Sequence, residues 1–446
     1  MLLRKTALEL LTRIEKENSF SHLLISDTID NSALNLQDEN LLVEIVYGTI
    51  ERKITLNYFL SPFINKNKKM DPWILTLLQM SVYQMKYLDK VPDYAIINEA
   101  VEIAKHKGHR GTGALVNGIL RSLQRKGVPE FEAIKDKTER LAIETSHPKW
   151  LVDLWIQDYG FELTKKICES NLVRKPMTLR TQILKNNRTE LINQLANIDI
   201  EARKSSITEQ GVIIDSGNVI KTSIIGLGNA TIQDESSMLV SELLNVKPGM
   251  KVLDCCSAPG GKTTHIAELM NDQGEIIAHD LHQKKINLVK NHADRLNLSS
   301  ITATPEDARE LTKVHQHQSF DRILIDAPCS GLGVIRSKPD IKYNKTKADV
   351  EKLQSVQQDI LNEVSQLLNK DGQLIYSTCT INTLENDQVI EKFLTEHPEY
   401  EVDPNFTKDL PKEVIENSRI TDYGIQLFPF TINSDGFFMT RLQYRN

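Results

Sequence analysis

Long hydrophobic runs are missing from this 446-residue chain. No stretch approaches the ~18 apolar residues that span a membrane, and the opening Met1-Leu-Leu-Arg-Lys has no apolar segment behind it. Cysteine is scarce. The five present, Cys168, Cys255, Cys256, Cys329 and Cys379, form no Cys-x-x-Cys pair, which excludes a zinc ribbon and a thioredoxin-like redox motif. So sparse and odd a set also excludes the disulfide framework of a small secreted domain. No cluster of histidine, cysteine and carboxylate has ligand spacing, so no metal is expected. An excess of positive charge is lacking too. The net charge is −6, and any nucleic-acid contact has to come from a local basic surface. What is present, 40% hydrophobic and 26% charged residues, is ordinary for soluble globular chains. The expectation is a reduced, cytoplasmic, monomeric protein of two to four domains, at roughly 100–200 residues each.

Residues 1–128 read as all-helical. Leu3, Ala7, Leu10, Leu11 and Ile14 recur at helical spacing. Asp71 and Pro72 suit the cap and first position of a further helix, and Asp93 suits the cap of another. From Lys105 to Lys126 there is no acidic residue. This stretch holds Lys105, Lys107, Arg110, Arg121, Arg125 and Lys126, with Gly108, Gly111 and Gly113 reading as a loop. Charge alone leaves a solvated loop-and-helix and a phosphate-contacting surface equally open. A second region, 129–235, reads as more helix, broken at Ser146-His147-Pro148, followed by a small α+β module with strands at Met177–Thr181 and Gly211–Ile214 and a helix at Thr189–Leu195.

From residue 236 to the end the pattern is alternating strand and helix, which predicts a doubly wound, Rossmann-like parallel sheet. The strands are Lys251–Asp254, Glu275–Asp280, Ser300–Ala303, Asp321–Asp326 and Gly372–Ser377, with Phe437–Leu442 pairing antiparallel near the edge.

Three constellations stand at the carboxyl ends of these strands, where such sheets bind ligands. Asp254-Cys-Cys-Ser-Ala-Pro-Gly-Gly-Lys262 follows a buried strand and opens a helix near Thr263. It is neither a G-x-G-x-x-G fingerprint nor a Walker A loop, which would need glycine at Cys256. Gly260 and Gly261 let the backbone approach a ligand. Asp280 ends the second strand, 26 residues after Asp254, and suits a ribose diol. Asp307 follows the third strand and suits an adenine edge. An adenosine-bearing cofactor without phosphates fits these parts, and S-adenosylmethionine is the candidate. The other two constellations are Asp326-Ala-Pro-Cys-Ser-Gly331 and Tyr376-Ser-Thr-Cys379-Thr380. A lone buried cysteine is usually inert. Two of them at adjacent strand ends, one beside an acid, suit a methyl transfer to carbon 5 of cytosine. A thiolate adds to carbon 6 and makes carbon 5 nucleophilic, Asp326 protonates or hydrogen-bonds N3, and a second thiol assists loss of the C5 proton. The base has to be unstacked to be reached. Chemistry alone leaves open which thiol attacks.

These motifs resemble those of the bacterial RNA 5-methylcytosine methyltransferases of the RsmB (Sun) group. The resemblance covers essentially the whole chain and rests on Cys256-Ser257-Ala258-Pro259-Gly260-Gly261-Lys262, Asp326-Ala-Pro-Cys-Ser-Gly-Leu-Gly333 and Ser377-Thr-Cys379. Pro339-Asp-Ile-Lys342 and Asp435-Gly-Phe-Phe438 add to it. It implies that Cys256–Lys262, with Asp280, Asp307 and Asp326, holds S-adenosylmethionine. It also implies that Cys379 is the nucleophile and that Cys329 assists product release. In DNA cytosine methyltransferases the proline-cysteine motif holds the nucleophile, which would have been Cys329; the Ser-Thr-Cys motif points to the RNA type. The amino-terminal helices resemble a NusB-like RNA-binding domain through Gly113-x-x-x-Asn117-x-x-Leu120-Arg121 and Ser146-His147-Pro148, which makes 105–126 an expected RNA-contact surface. Asn171, Pro176, Arg180 and Gln233-Asp-Glu-Ser236 match the small module. Gln182 stands where asparagine is common, Tyr343 where tryptophan is common, and the residues after Arg441 lack the group's usual basic tail. The implied substrate is small-subunit ribosomal RNA. Transfer RNA is the alternative that keeps the chemistry. A non-catalytic RNA-binding or antitermination module is the alternative from another class, and the intact Cys379, Cys329 and Asp326 argue against it.

Overall fold

A computed structural model describes residues 1–17, 21–30, 34–65, 67 and 69–445. They divide into two compact units, one of residues 1–172 with 338–344 and the other of 173–337 with 345–446.

The first unit is helical. Its core helix, Pro72–Tyr87, buries an unbroken run from Thr76 to Gln84, because neighbouring helices cover it on every side. Leu42, Val46, Leu56, Ile97, Val116 and Leu120 pack into the same core. Asp71 holds the N-cap position, but its side chain makes no cap hydrogen bond; Pro72 follows at the first helical position. Asp93 is not a cap. Pro92 takes that position, and Asp93 is the first helical residue, where its carboxylate accepts from Gln124 Nε2 at 3.2 Å. Nor do Gly111 and Gly113 lie in a loop. They belong to the helix Arg110–Lys126, whose cap is His109, with Nδ1 accepting from the Gly111 amide. An aromatic ring nitrogen does here what Ser, Thr, Asp or Asn usually does, and the three glycines misread the helix start. Residues 338–344 complete this unit. The Lys342 ammonium, fully buried, donates to the Glu51 carbonyl at 2.9 Å, and burial lowers its pKa to about 7.

The second unit holds two sheets. A four-stranded antiparallel sheet, ordered β2-β3-β1-β4, is built from β1 (Met177–Thr181), β2 (Glu201–Lys204), β3 (Gly211–Ser216) and β4 (Ala230–Ile232). The helix Arg188–Ala196 begins in a capping box between Asn187 and Glu190. The larger sheet contains β5 (Lys251–Asp254), β6 (Glu275–Asp280), β7 (Ile301–Pro305), β8 (Phe320–Asp326), β9 (Leu368–Thr378), β10 (Tyr400–Val402), β11 (Arg419–Thr421), β12 (Gly424–Leu427) and β13 (Phe437–Tyr444). Its order is β11-β12-β13-β9-β8-β5-β6-β7, with β10 on β13. The strands from β9 to β7 run parallel; β13 is antiparallel to β9. Phe437–Leu442 is therefore not near an edge, since β12 and β11 continue the sheet beyond it. Val252, Leu253, Ile323, Leu324, Leu374 and Ile375 are completely buried, as strands covered on both faces by helices have to be. Chain order runs β5-β6-β7 one way and returns to β8-β9 on the other side of β5. This reversal opens a crevice at the carboxyl ends of β5 and β8.

Candidate active site

The loop 255–260 leaves β5 at that crevice and enters the helix Gly261–Leu269, two residues earlier than expected. Gly260 sits at φ 105°, and a Cβ there would stand 3.1 Å from the Val289 Cα of the helix Gln283–Leu296. Both the positive φ and the packing of that helix favour glycine here; nothing crowds Gly261. Ser257 spends both its amide and its hydroxyl on the His279 carbonyl of β6, at 2.8 and 2.9 Å, which pins the loop to the sheet.

Behind it lies a cavity of roughly 450 Å³, within the usual range for small-molecule sites. Cys256, Ala258, Asp280, Asp307, Asp326, Cys329 and Cys379 line it. Ser257, Pro259, Gly261 and Lys262 line a smaller adjoining hollow, which Cys256, Ala258 and Asp326 share; Gly260 lines neither. Several lining residues had no motif to announce them. Leu281, 54% exposed, follows Asp280 at the strand end; Val356 and Ile360 come from the helix Lys347–Ser365. The signal that could have found Leu281 is an apolar residue directly after the acid that ends β6.

The charged groups are paired. Asp326 accepts from Lys262 Nζ at 2.8 Å on one oxygen and from Ser377 Oγ at 2.9 Å on the other. Asp280 is buried, with Lys285 Nζ 3.3 Å away. Asp307 caps the following turn and chelates Arg309 in bidentate fashion, and the Arg309 hydrogen bond holds its pKa below the usual range. Asp254 is buried, takes a hydrogen bond from Thr263 Oγ1 at 2.7 Å on one oxygen and has no partner for the other.

Cys329 and Cys379 are half-buried, with sulfurs 3.4 Å apart. Register explains the meeting. Asp326 pairs with Ser377 across β8 and β9, so the residues three and two positions further on turn over the same strand ends. The Cys379 sulfur, burial and the Glu385 charge together hold the Cys329 thiol well above its ordinary pKa. Cys329 is thus held toward the thiol form, and either sulfur can donate in the contact between them.

The small module is tied to this loop by Arg180, which is completely buried. Its guanidinium forks onto Glu268 at 2.8 and 3.0 Å, and also donates to Thr264 Oγ1 and to the Gly261 carbonyl. The sequence showed Arg180 only as a matching position; its partners, Gln233 among them, lie 53 to 88 residues away.

In the first unit, Lys105, Lys107, Arg110, Arg125 and Lys126 are exposed and Arg121 is half-exposed. Arg110, Arg121 and Arg125 fall within roughly 60° of one another on the helix Arg110–Lys126, along about 22 Å of its axis. Lys105 is paired with Glu102 at 2.6 Å, and Lys107 Nζ lies 5.7 Å from the centre of the Trp73 ring. Among the described residues no helix is long and apolar enough to cross a membrane, and no group of three or more His, Cys, Asp or Glu stands ready to hold a metal ion.

Comparison with known proteins agrees with this geometry. The NusB family model matches residues 1–125, a ferredoxin-like domain of RsmF/B-like methyltransferases matches 147–221, and the 16S rRNA methyltransferase RsmB/F model matches 241–443. The chain is 47% identical to the probable ribosomal RNA small subunit methyltransferase B of Bacillus subtilis, over 99% of this chain and 98% of that one. It is 32% identical to the protein of the same description from Synechocystis, over 99% of each. The crystal structure of PH0851 superposes with a TM-score of 0.84 at 23% identity, over 99% of this chain and 98% of that one. NSun6 from Pyrococcus horikoshii, solved with SFG, gives 0.60 at 20% identity, over 67% of this chain and 98% of that one. These two likenesses speak for the fold. The helical unit begins with a NusB-like domain, the four-stranded module is ferredoxin-like, and the large sheet is the methyltransferase domain. The chain belongs to the RsmB/F family of 16S rRNA methyltransferases.

Proposed function

We propose that this protein methylates carbon 5 of a cytosine in small-subunit ribosomal RNA, with Cys379 as the attacking thiolate and S-adenosylmethionine as the methyl donor. The observation that carries this reading is the pair of thiols 3.4 Å apart over adjacent strand ends, in a cavity that also holds Asp326. The lining suits the donor: three carboxylates, Asp280, Asp307 and Asp326, accept from hydroxyl and amine hydrogens and favour a cationic ligand over a polyphosphate. When bound there, S-adenosylmethionine supplies an electrophilic methyl group.

The residues divide the work. Cys379 Sγ forms a bond to C6 of the flipped base, and the electron pair of the C5–C6 double bond moves so that C5 becomes the nucleophile. The Asp326 carboxylate, oriented by Lys262 and Ser377, accepts from the N4 amino group and from N3–H, where N3 takes a proton from solvent as C6 is attacked and returns it when the product is released; this eases addition. Cys329 keeps its proton during the attack, so it does not compete as a nucleophile. After its proton passes to solvent, it takes the C5 proton. The C5–H electron pair re-forms the double bond and Cys379 leaves as thiolate. One proton is released to solvent per turnover, and the C5 proton replaces it on Cys329. The NusB-like domain and the arginine face of the helix Arg110–Lys126 supply phosphate contacts.

The test is the Cys329→Ala variant incubated with S-adenosylmethionine and unmodified small-subunit ribosomal RNA. Addition persists while elimination fails, so a protein-linked RNA band is expected on a denaturing gel, and Cys379→Ala should abolish it. Free RNA with full turnover by Cys329→Ala refutes the role given to that thiol.

A further inference from the structure

Between the two thiol loops lies a carboxylate that neither touches the cavity nor belongs to any motif read from the sequence. Glu385 is 0% exposed. Burying a carboxylate is costly unless its lone pairs are used, and here both oxygens are saturated by uncharged donors. One oxygen accepts from the Ser330 amide at 2.8 Å and from Gln357 Nε2 at 3.0 Å. The other accepts from Ser330 Oγ and from Asn382 Nδ2. The Glu385 amide in turn donates to Asn382 Oδ1 at 2.9 Å, and its carbonyl accepts from the Tyr376 hydroxyl at 2.8 Å.

These partners belong to three segments. Ser330 is the residue after Cys329. Asn382 is three residues beyond Cys379, and its Nδ2 also donates to Thr380 Oγ1 at 3.1 Å. Gln357, on the helix Lys347–Ser365, donates as well to the Pro328 carbonyl, just ahead of Cys329. We infer that Glu385 is a positioning residue that clamps the Cys329 loop to the Cys379 loop and so sets the separation of the two thiols. The inference rests on the two-thiol reading above.

The anchoring is unequal. Cys379 directly follows β9, which is held between β8 and β13, and its carbonyl accepts from the Gly333 amide at 2.9 Å. Cys329 lies three residues past the end of β8, and the residue following it is bonded to Glu385 through both backbone and side chain. Loosening the clamp therefore displaces the release thiol before the attacking one. A carboxylate is needed because four donors converge on two oxygens; an amide offers one acceptor oxygen, and the Ser330 N–H cannot turn away.

Three proteins decide it: wild type, Glu385→Gln and Ser330→Ala. Each is assayed for 5-methylcytidine formation on unmodified small-subunit ribosomal RNA, for protein-linked RNA on a denaturing gel, and for S-adenosylmethionine affinity by calorimetry. Glu385→Gln is expected to lose at least tenfold in turnover and to accumulate protein-linked RNA, with cofactor affinity within twofold of wild type. Ser330→Ala, which removes the hydroxyl's bonds to Glu385 and to Thr380 Oγ1 and leaves the amide bond to Glu385, should lose about threefold and shift the adduct the same way; it carries the test if Glu385→Gln does not fold. Turnover within twofold of wild type in the folded variants overturns the clamp. So does a loss of turnover without adduct and with weakened cofactor binding, since that is the mark of a general packing role. Wild type run alongside separates the two claims. No 5-methylcytidine from wild type overturns the cytosine reading itself, whereas product from wild type and from an unaffected Glu385→Gln overturns the clamp alone.

Discussion

Four of the five cysteines, Cys255, Cys256, Cys329 and Cys379, line one cavity, yet only two of them meet across neighbouring strand ends. Cys255 is buried, and burial and its neighbour Cys256 raise its thiol pKa well above the ordinary value. Cys379→Ala should therefore reduce methylation by more than a thousandfold with calorimetric cofactor binding unchanged; near-normal turnover contradicts the assignment. Asp254 offers a test at the same scale that does not depend on activity. Burial raises its carboxyl to about 7, and the Thr263 hydrogen bond offsets this only in part. The folded protein holds this proton more tightly than the unfolded chain, whose aspartates titrate near ~3.9. The stability linked to it is fully present below that value and is lost as pH rises toward 7. Asp254→Asn should remove that loss. At pH 8 it should be more stable than wild type by on the order of 1–3 kcal/mol, with the difference vanishing near pH 4. Urea unfolding at the two pH values measures it, and an unchanged pH slope contradicts it.

At the scale of elements, the β5 loop and its helix depend on two supports that a sequence pattern does not advertise. Gly260→Ala adds a methyl group at positive φ, 3.1 Å from a backbone atom of the neighbouring helix. It should cost about 1–3 kcal/mol and weaken cofactor binding; retention of wild-type stability would show that the loop relaxes freely. Arg180→Ala leaves Glu268 buried without its cation and should cost about 3–5 kcal/mol, while the Arg180→Met/Glu268→Met pair should recover much of that. Equal loss in the single and the double variant contradicts the ion-pair account. These cases mark what the sequence discloses. Strands β5, β6 and β8 were legible because a strand covered on both faces leaves an apolar run, here ending in an aspartate. The motif cysteines were legible because strand ends deliver side chains to one edge. β2, β4 and β10 to β12 are three or four residues long, too short for any periodicity to register. That left β13 looking like an edge when β12 covers it. Glu385 and Arg180 were invisible as actors for another reason: their roles are set by partners brought close only in the folded chain. Glycines at 108, 111 and 113 suggested a loop, but the apolar spacing of Val116, Ile119, Leu120 and Leu123, all buried, decides for helix.

At the scale of the whole molecule, charge is distributed unevenly. A chain of net charge −6 presents Arg110, Arg121 and Arg125 along one helix face, and the proposed function makes this face the local source of attraction to RNA. Replacing all three by glutamine should weaken RNA binding at least tenfold. The slope of log affinity against log salt should fall by about 2–3, at roughly 0.7–0.9 per lost phosphate contact. Cofactor affinity should stay as it is. Filter binding across a salt series reads the effect, and an unaltered slope removes this face from the RNA-binding surface. The central claim is chemical, and one measurement meets it directly. Purified protein is incubated with S-adenosylmethionine and unmodified small-subunit ribosomal RNA, and the digested nucleosides are read by mass spectrometry. The two-thiol account predicts a new 5-methylcytidine peak that Cys379→Ala does not produce. A methyl group on another nucleoside or another ring position, or a peak that survives in Cys379→Ala, contradicts it.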